Sequence, residues 1–203
     1  MKKRAFFGLG NPGREYALTR HNVGYRIVEA LALALEAPPF RSHRYVEMTE
    51  LDFRGIRWYL FRPTTYMNRS GDAVAYWQAK LALDYSELIV ILDEIQLPLG
   101  RMRLTPQGAA GGHNGLAHVI ERLGRIDFPR LRIGIGRHFP RGKQVEYVLS
   151  PFSPNEEAVF QSLIPRAIDC LMTWAIHGID QAMNTCNQRL STLSPISSSP
   201  DFA

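Results

Sequence analysis

The sequence predicts a single α/β domain, in which helices flank a twisted, mixed β-sheet. Short apolar segments of strand length alternate along the chain with longer segments in which apolar residues recur every three or four positions. The chain has 203 residues, of which 45% are hydrophobic and 21% are charged, a composition typical of one globular domain. No repeat or linker divides it, so we assign residues 1–190 to this domain. Residues 191–203 are rich in Ser and Pro and are expected to form a disordered tail.

The first third of the chain predicts a strand, a polar loop, a helix and a hairpin. Residues 3–9 are mostly apolar, and residues 22–35 carry apolar side chains at helical spacing before two prolines end the helix. Residues 45–52 and 56–61 partly alternate between apolar and polar side chains. A tight connection joins these two segments, which predicts an antiparallel pair of strands.

The same alternation continues to the end of the domain. We expect, in order, a helix over residues 68–83, a buried strand over 88–92, a strand over 101–105, a helix over 115–123 and a strand over 131–135. Residues 155–188 have a helical pattern that is expected to break or kink near Pro165. Because the apolar strand 88–92 runs into Asp93 and Glu94, these carboxylates are predicted to lie at the carboxyl end of a central strand.

The composition argues against a membrane protein and against a disulfide or zinc framework. The longest uninterrupted aliphatic run, residues 88–92, is far shorter than the roughly 20 residues that a transmembrane helix requires. The apolar stretch after the basic N-terminus is too short for a signal peptide, so we expect a cytoplasmic protein. Cys170 and Cys186 show no pairing pattern or metal-ligand spacing, so neither a disulfide nor a zinc site is predicted.

Positive charge is concentrated in one part of the chain. Residues 101–143 contain nine basic residues and two acidic ones, whereas the whole chain has a net charge of +5. Arginine outnumbers lysine by 20 to 4, and its planar guanidinium group hydrogen-bonds phosphate through two parallel N–H groups. This segment favours a nucleic-acid partner, although arginines on a solvated sheet edge would give the same pattern.

A glycine-rich segment follows the first predicted strand. Residues 8–13 read GLGNPG, which matches the G-x-G-x-x-G pattern of dinucleotide-binding loops and raises a nucleotide-dependent oxidoreductase as one alternative. In that fold a helix begins within the glycine loop, whereas here Asn11, Pro12 and Gly13 form a turn signal and helical spacing resumes near Asn22. The pattern is therefore weak support for a dinucleotide site.

Three polar loops and one acidic strand end carry a more specific pattern. They are GLGNPGREYALTRHNVG at residues 8–24, PTTYMNRSG at residues 63–71, the pair Asp93-Glu94, and GGHNG at residues 111–115. In this order and spacing they resemble the bacterial peptidyl-tRNA hydrolase family, from about residue 7 to residue 152.

The resemblance implies a peptidyl-tRNA hydrolase-like fold of the phosphorylase/hydrolase-like kind and a monomeric, cytoplasmic enzyme that needs no cofactor. Its substrate would be peptidyl-tRNA released from ribosomes. The enzyme would hydrolyse the ester bond between the peptide, or an N-blocked aminoacyl group, and the 3′ ribose, and so recycle the tRNA.

The residues present also favour an ester hydrolase that activates water. No G-x-S-x-G or H-E-x-x-H motif or cysteine cluster occurs in the sequence, so neither a serine nucleophile nor a metal is expected. His21 is the candidate general base, because an imidazole with a pKa of about 6.5 is mostly neutral at cellular pH. The resemblance pairs it with Asp93, whose carboxylate would fix the ring tautomer. A purely structural histidine, and Glu94 in place of Asp93, are the alternatives.

Amides and aromatic rings complete the predicted site. Carboxamides donate and accept hydrogen bonds without charge, and so suit a peptide main chain, a water or an oxyanion. The resemblance places Asn11 and Asn68 against the peptide part of the substrate, and Asn114 near the water or the tRNA. Asn11 would also help to distinguish blocked from free aminoacyl groups. Tyr16 and Tyr66 would line the cleft, where a ring stacks on adenine or on substrate side chains. Turn formation is the alternative role of Asn11 and Asn114, and core packing is that of Tyr16 and Tyr66.

The tRNA-binding surface is less specifically predicted. We expect the glycine-rich loop 108–112 to be flexible and to act as a lid, with the basic segment beside it. Arg137 and Lys143 are the candidates for phosphate contacts. A noncatalytic RNA-binding relative of the same fold is the alternative function; it would not require His21 and Asp93, and both are present.

Overall fold

A seven-stranded mixed sheet forms the centre of the protein, in the strand order β2–β3–β4–β1–β5–β7–β6. The computed structural model describes residues 1–188. Its strands are β1 (Lys2–Gly8), β2 (Arg41–His43), β3 (Val46–Phe53), β4 (Ile56–Pro63), β5 (Leu88–Glu94), β6 (Met102–Thr105) and β7 (Arg130–Gly134). The β1–β4, β1–β5 and β5–β7 pairs are parallel, whereas the β2–β3, β3–β4 and β6–β7 pairs are antiparallel. The predicted mixed sheet is confirmed.

Helices cover both faces of the sheet. Successive strand residues point to opposite faces, and apolar side chains on each face pack against helices. They are α1 (Val23–Ala34), α2 (Ser70–Lys80), α3 (Asn114–Leu123), α4 (Gln144–Val148), α5 (Pro154–His177) and α6 (Ile179–Cys186). In β1, Phe6 belongs to a core with α1, α4, α5 and α6, whereas Phe7 belongs to a second core with α2 and α3. Burial on both faces explains why residues 5–7 of β1 and residues 88–92 of β5 are uninterrupted apolar runs. Among the helices of residues 1–188, none combines the length and hydropathy of a membrane span.

The C-terminal helical region is interrupted at a different place from the one the sequence predicts. α5 continues through Pro165, which is exposed, so that the carbonyl left without an N–H partner can face water. The helix ends instead at Gly178, where φ is +93°, a conformation that favours glycine. The short elements α4 and β2 are missing from the prediction, because so few residues show no clear periodicity. The predicted disordered tail, residues 191–203, lies outside the described residues.

The prediction that the two cysteines do not pair is wrong. Cys170 in α5 and Cys186 at the end of α6 form a disulfide, with their Cα atoms 5.3 Å apart. The chain reverses at Gly178, and α6 packs back against α5, which brings the two positions together. The next residue, Asn187, accepts a hydrogen bond from the Leu104 N–H of β6 at 2.8 Å and donates one to the Leu104 carbonyl at 2.9 Å.

Candidate active site

Three loops and one strand end meet at one edge of the sheet. Strands β1, β4 and β5 are parallel, so the loops that follow β1 and β4 lie beside the carboxyl end of β5. The loop before α3 closes the same space. Together they enclose a cavity of about 310 Å³. Its lining includes eight residues of the predicted site or their neighbours, namely Asn11, Tyr16, His21, Tyr66, Asn68, Asp93, Glu94 and Asn114.

Glycines allow the first loop to pack tightly against helix α1. A Cβ added to Gly8 would lie 2.2 Å from the carbonyl oxygen of Gly24, so neither residue leaves room for a side chain. This close approach holds the 3-10 turn that carries His21 against the end of β1. Helix α1 begins at Val23, ten residues after Gly13, so the GLGNPG segment does not open a helix as a dinucleotide-binding loop does.

Arg20 fastens the turn that carries His21 to the segment that follows α4. Its guanidinium group donates to the carbonyls of Ser150 and Pro151, at 3.3 and 2.9 Å, and forms an ion pair with Glu156 at 2.8 Å. The same group stacks over the ring of Tyr147, 4.2 Å from its centre. Neither Arg20 nor α4 was predicted to belong to the site, although Gln144, Val145 and Val148 of α4 line the cavity.

Asp93 lies between two histidines and contacts both through one oxygen. Its Oδ1 is 2.8 Å from Nδ1 of His21 and 2.9 Å from Nε2 of His113. The Asp93 side chain is 2% exposed, the His113 side chain 7% and the His21 side chain 13%. Glu94, the alternative partner, instead pairs with Arg132 at 2.7 Å and accepts the N–H of Gln96. Of the two carboxylates, Asp93 is therefore the one in contact with His21.

The hydrogen bonds fix which nitrogen of each ring carries a hydrogen. His113 Nδ1 caps α3 by accepting the N–H of Leu116 at 3.1 Å, so its Nε2 is the nitrogen that donates to Asp93. His21 donates to Asp93 from Nδ1, which leaves its Nε2 unprotonated in the neutral ring. His21 therefore presents a proton acceptor to the cavity.

Burial and neighbouring charges shift the pKa values of His21 and Asp93 in opposite directions. Burial lowers the pKa of His21, but the neighbouring Asp93 carboxylate outweighs this effect and raises the pKa above its usual value. Burial by itself raises the pKa of Asp93, yet the two histidines hold that pKa well below its usual range. Asp93 is therefore ionised at neutral pH.

His113 is a site residue that was not predicted, although it lies within the GGHNG segment at residues 111–115. Within residues 1–188, His21, Asp93 and His113 are the group whose ligand atoms lie close enough, within 4.8 Å, to surround a cation. A ligating nitrogen must be unprotonated, whereas His113 Nε2 carries a hydrogen as long as Nδ1 caps α3. The cluster is thus arranged for hydrogen bonding to Asp93. The sequence feature that could have indicated His113 is its position in a glycine-rich loop, just before a predicted helix.

Asn11 is held so that its amide N–H groups remain available to the cavity. Its Oδ1 accepts the backbone N–H of Met67 at 2.7 Å, and its own backbone exchanges two hydrogen bonds of 2.9 Å with the side chain of Asn22. The neighbour of Met67, Tyr66, has φ +57° and ψ 159°, a region that non-glycine residues rarely occupy. Tyr66 is 56% exposed, and its ring meets that of Tyr16 edge to face.

Part of the basic segment points inward, contrary to the expectation that it faces phosphate. Arg130 is fully buried, where it donates to the carbonyls of Gly108, Ile126 and Phe128, and burial lowers its pKa to about 10. Arg132 pairs with Glu94 and also donates to the Ala109 carbonyl. These bonds anchor the start of the loop that we expected to be a flexible lid.

The two predicted phosphate contacts lie on the surface and do not line the cavity. Arg137 is exposed, with its guanidinium group 5.9 Å from the centre of the Phe139 ring. Lys143 is exposed and pairs with Glu146 at 2.7 Å. Both follow β7 and precede α4, beside the wall that α4 contributes to the cavity.

An ionised carboxylate that orients an imidazole, in a cavity lined by carboxamides on an α/β fold, is typical of hydrolases that activate water. Comparison with known proteins gives the family. A sequence model described as peptidyl-tRNA hydrolase matches residues 5–193. The chain belongs to the peptidyl-tRNA hydrolase family.

Individual relatives cover nearly the whole chain. A peptidyl-tRNA hydrolase of Salinibacter ruber is 47% identical over 181 residues, which are 89% of this chain and 95% of the relative. One of Aquifex aeolicus is 45% identical over 186 residues, 90% of this chain and 95% of the relative. The crystal structure of peptidyl-tRNA hydrolase from Acinetobacter baumannii superposes with a TM-score of 0.86 at 33% identity, covering 91% of this chain and 94% of that one.

Proposed function

We propose that this enzyme hydrolyses the ester bond between the peptide, or an N-blocked aminoacyl group, and the 3′ ribose of peptidyl-tRNA. The observation that carries the proposal is the 2.8 Å contact between His21 Nδ1 and Asp93 Oδ1 at the wall of the cavity. Family membership supports the substrate class. The enzyme would act as a monomer in the cytoplasm and recycle tRNA from peptidyl-tRNA that ribosomes release.

In this mechanism His21 acts as the general base. Its unprotonated Nε2 removes a proton from water, and the hydroxide attacks the ester carbonyl carbon. The ionised Asp93 stabilises the imidazolium that forms and keeps the ring oriented. When the tetrahedral intermediate collapses, the bond from the carbonyl carbon to the 3′ oxygen breaks, and His21 returns the proton to that oxygen.

Asn11 would both stabilise the reacting group and select the substrate. Its Oδ1 is engaged by the Met67 N–H, so it meets the substrate with N–H donors. A peptide or N-acyl carbonyl accepts such a hydrogen bond. The ammonium group of a free aminoacyl ester has only donors, so it forms no hydrogen bond with the Asn11 N–H groups. Asn11 thereby favours N-blocked substrates.

The other cavity residues would hold the two ends of the substrate. Asn68 would bind the peptide main chain, and Asn114 would bind the attacking water or the terminal nucleotide. Tyr16 and Tyr66 offer aromatic faces for the terminal adenine or for a substrate side chain. Arg137 and Lys143 would contact tRNA phosphates beyond the cavity.

Release of tRNA from N-acetyl-aminoacyl-tRNA, measured beside the unblocked aminoacyl-tRNA, tests the proposal. With a chelator present, the wild-type protein should cleave the blocked substrate and leave the unblocked one, and His21→Ala should remove nearly all hydrolysis while retaining tRNA binding. Binding without cleavage by the wild type would indicate a noncatalytic RNA-binding relative. Replacing Arg137 and Lys143 by Ala should weaken binding and reduce its salt dependence.

A further inference from the structure

Two carboxamides of the candidate active site lie at the starts of neighbouring helices. Asn68 belongs to the 3-10 turn Met67–Arg69, which leads directly into α2, and Asn114 is the first residue of α3. Both residues are exposed and line the cavity that contains His21. The separation of these two carboxamides therefore depends on how the start of α2 is packed against the start of α3.

Two glycines allow the helix starts to approach closely. A Cβ added to Gly71 of α2 would lie 2.3 Å from the carbonyl oxygen of His118 in α3. One added to Gly115, the neighbour of Asn114, would lie 2.4 Å from Sδ of Met67. Apolar contact of this kind is non-directional, so a further interaction has to fix the orientation of one segment on the other.

His118 supplies a directional contact, because its Nδ1 accepts the backbone N–H of Gly71 at 3.0 Å. Gly71 is the second residue of α2, so its N–H has no partner within that helix. The side chain of Arg69, at the N-cap position, does not cap α2 either. One helical turn after His118, Arg122 pairs with Asp72 of α2 at 3.0 Å. One face of α3 thus holds two consecutive residues of α2.

Of these two contacts, the hydrogen bond to His118 is the stronger constraint. The Arg122 side chain is 53% exposed, and ion pairs in contact with water contribute little. Gly71 is buried, so removal of the His118 acceptor leaves its N–H without a partner, which is costly. The first turn of α2 would have to move to give this N–H another partner, and Asn68 would move with it.

We infer that His118 is a positioning residue for the reaction. By capping α2 from α3, it fixes the separation of Asn68 and Asn114, and with it the place of the peptide relative to the water or the terminal nucleotide. The inference rests on the proposed function, because it takes these roles of the two carboxamides as given. His118 is not among the residues that line the cavity, so it acts through the two helix starts and not by contact with the substrate.

Two substitutions of similar size separate the hydrogen bond from packing. In His118→Asn, Oδ1 takes the place of Nδ1 and can accept the Gly71 N–H, whereas His118→Leu places a methyl group there. On N-acetyl-aminoacyl-tRNA, His118→Leu should lower kcat/KM by about tenfold. Most of this loss should be a higher KM, because His21 and Asp93 lie on other elements. His118→Asn should stay within about twofold of the wild type.

A double-mutant cycle distinguishes positioning from a general loss of structure. With Asn68→Ala and Asn114→Ala in the background, the groups that His118 positions are missing. His118→Leu should then lower kcat/KM by less than about twofold further. A structural defect independent of the two carboxamides would instead multiply with their loss and again give a factor of about ten.

Three results would overturn the inference. They are a wild-type kcat/KM in His118→Leu, an equal loss in His118→Asn, and an undiminished loss in the background that lacks both carboxamides. If instead the wild type cleaves no N-blocked substrate, the proposed function itself fails. Should His118→Leu not fold, His118→Ala, which also lacks an acceptor and has the highest helix propensity, is measured in the same cycle with the same expected results.

Discussion

His113 Nε2 lies 2.9 Å from Oδ1 of Asp93. The same oxygen receives the hydrogen bond from His21, so the position of the proposed base depends on how firmly the carboxylate is held. His113 is itself fixed, because its other ring nitrogen caps α3. The start of α3 thus orients His21 through Asp93, without His113 having to contact the attacking water.

Replacing His113 by Asn separates these two contacts. Asn is a good N-cap residue, so the variant retains the helix cap but is too short to reach Asp93. A hydrogen bond to a charged group contributes about 1.5–3 kcal/mol, so we expect kcat to fall by roughly 10- to 100-fold. Both His113→Asn and His113→Ala should lose unfolding free energy through the missing hydrogen bond to the buried carboxylate, and His113→Ala should lose about 1 kcal/mol more through the missing cap. Steady-state kinetics and thermal unfolding check both values, and a wild-type kcat in His113→Asn would contradict the role of the contact.

The pH profile should report the titration of His21. The base works when neutral, so kcat/KM should rise with pH and level off above the His21 pKa, which Asp93 raises. Asp93→Asn removes the raising charge but leaves the burial that lowers the pKa, so the acidic limb should move to lower pH. The plateau should fall by about three orders of magnitude, because the tautomer is no longer fixed. An NMR titration of the His21 ring is the direct measurement, and an unmoved limb would mean that another group titrates.

Tyr66 combines backbone strain with a position in the cavity wall. Its φ of +57° with ψ of 159° is accessible mainly to glycine, so Tyr66→Gly removes strain that Tyr66→Ala retains. We expect the Gly variant to be more stable than the Ala variant by about 1 kcal/mol, even though glycine gains more freedom in the unfolded chain. Both variants lose the ring and should raise KM by about tenfold if it stacks on a base. Urea unfolding ranks the stabilities, and an Ala variant at least as stable as the Gly variant would show that the strain is absent.

The disulfide between α5 and α6 should contribute measurably to stability. It joins residues 16 apart, and closing a loop of that length stabilises a fold by about 3 kcal/mol. Reduction of the wild type should lower the melting temperature by about 6–12 °C at 2–4 °C per kcal/mol. Cys170→Ala/Cys186→Ala should melt near the reduced protein and not respond to reductant. Two titratable thiols in the unreduced, unfolded protein would contradict the pairing.

The strands and the three loops were predictable because their signals are local. A mostly apolar segment identifies β1 and a continuous apolar run identifies β5, and the parallel pairing of these strands brings the loop with His21 to the strand end with Asp93. Whether a side chain points inward or outward depends instead on parts of the chain that are distant in sequence. Arg130 counts as a surface charge by composition, yet it is buried because three carbonyls from a distant loop and its own neighbours surround it.

His113 and the cysteine pair were missed for a related reason. The role of His113 depends on what each of its two nitrogens contacts, and those partners come from β5 and from α3. Cys170 and Cys186 meet because the chain reverses at Gly178, whereas the sequence pattern favoured an interruption at Pro165.

Asn187 has a consequence for the outer edge of the sheet. Among residues 1–188, β7 is the sole strand that pairs with β6, and a strand edge without a partner can hydrogen-bond a strand of another molecule. The Asn187 amide occupies both the N–H and the carbonyl of Leu104, in the middle of this four-residue strand. One side chain thereby satisfies the two backbone groups that a strand added at this edge would bind, and the disulfide at the neighbouring Cys186 fixes Asn187 to α5.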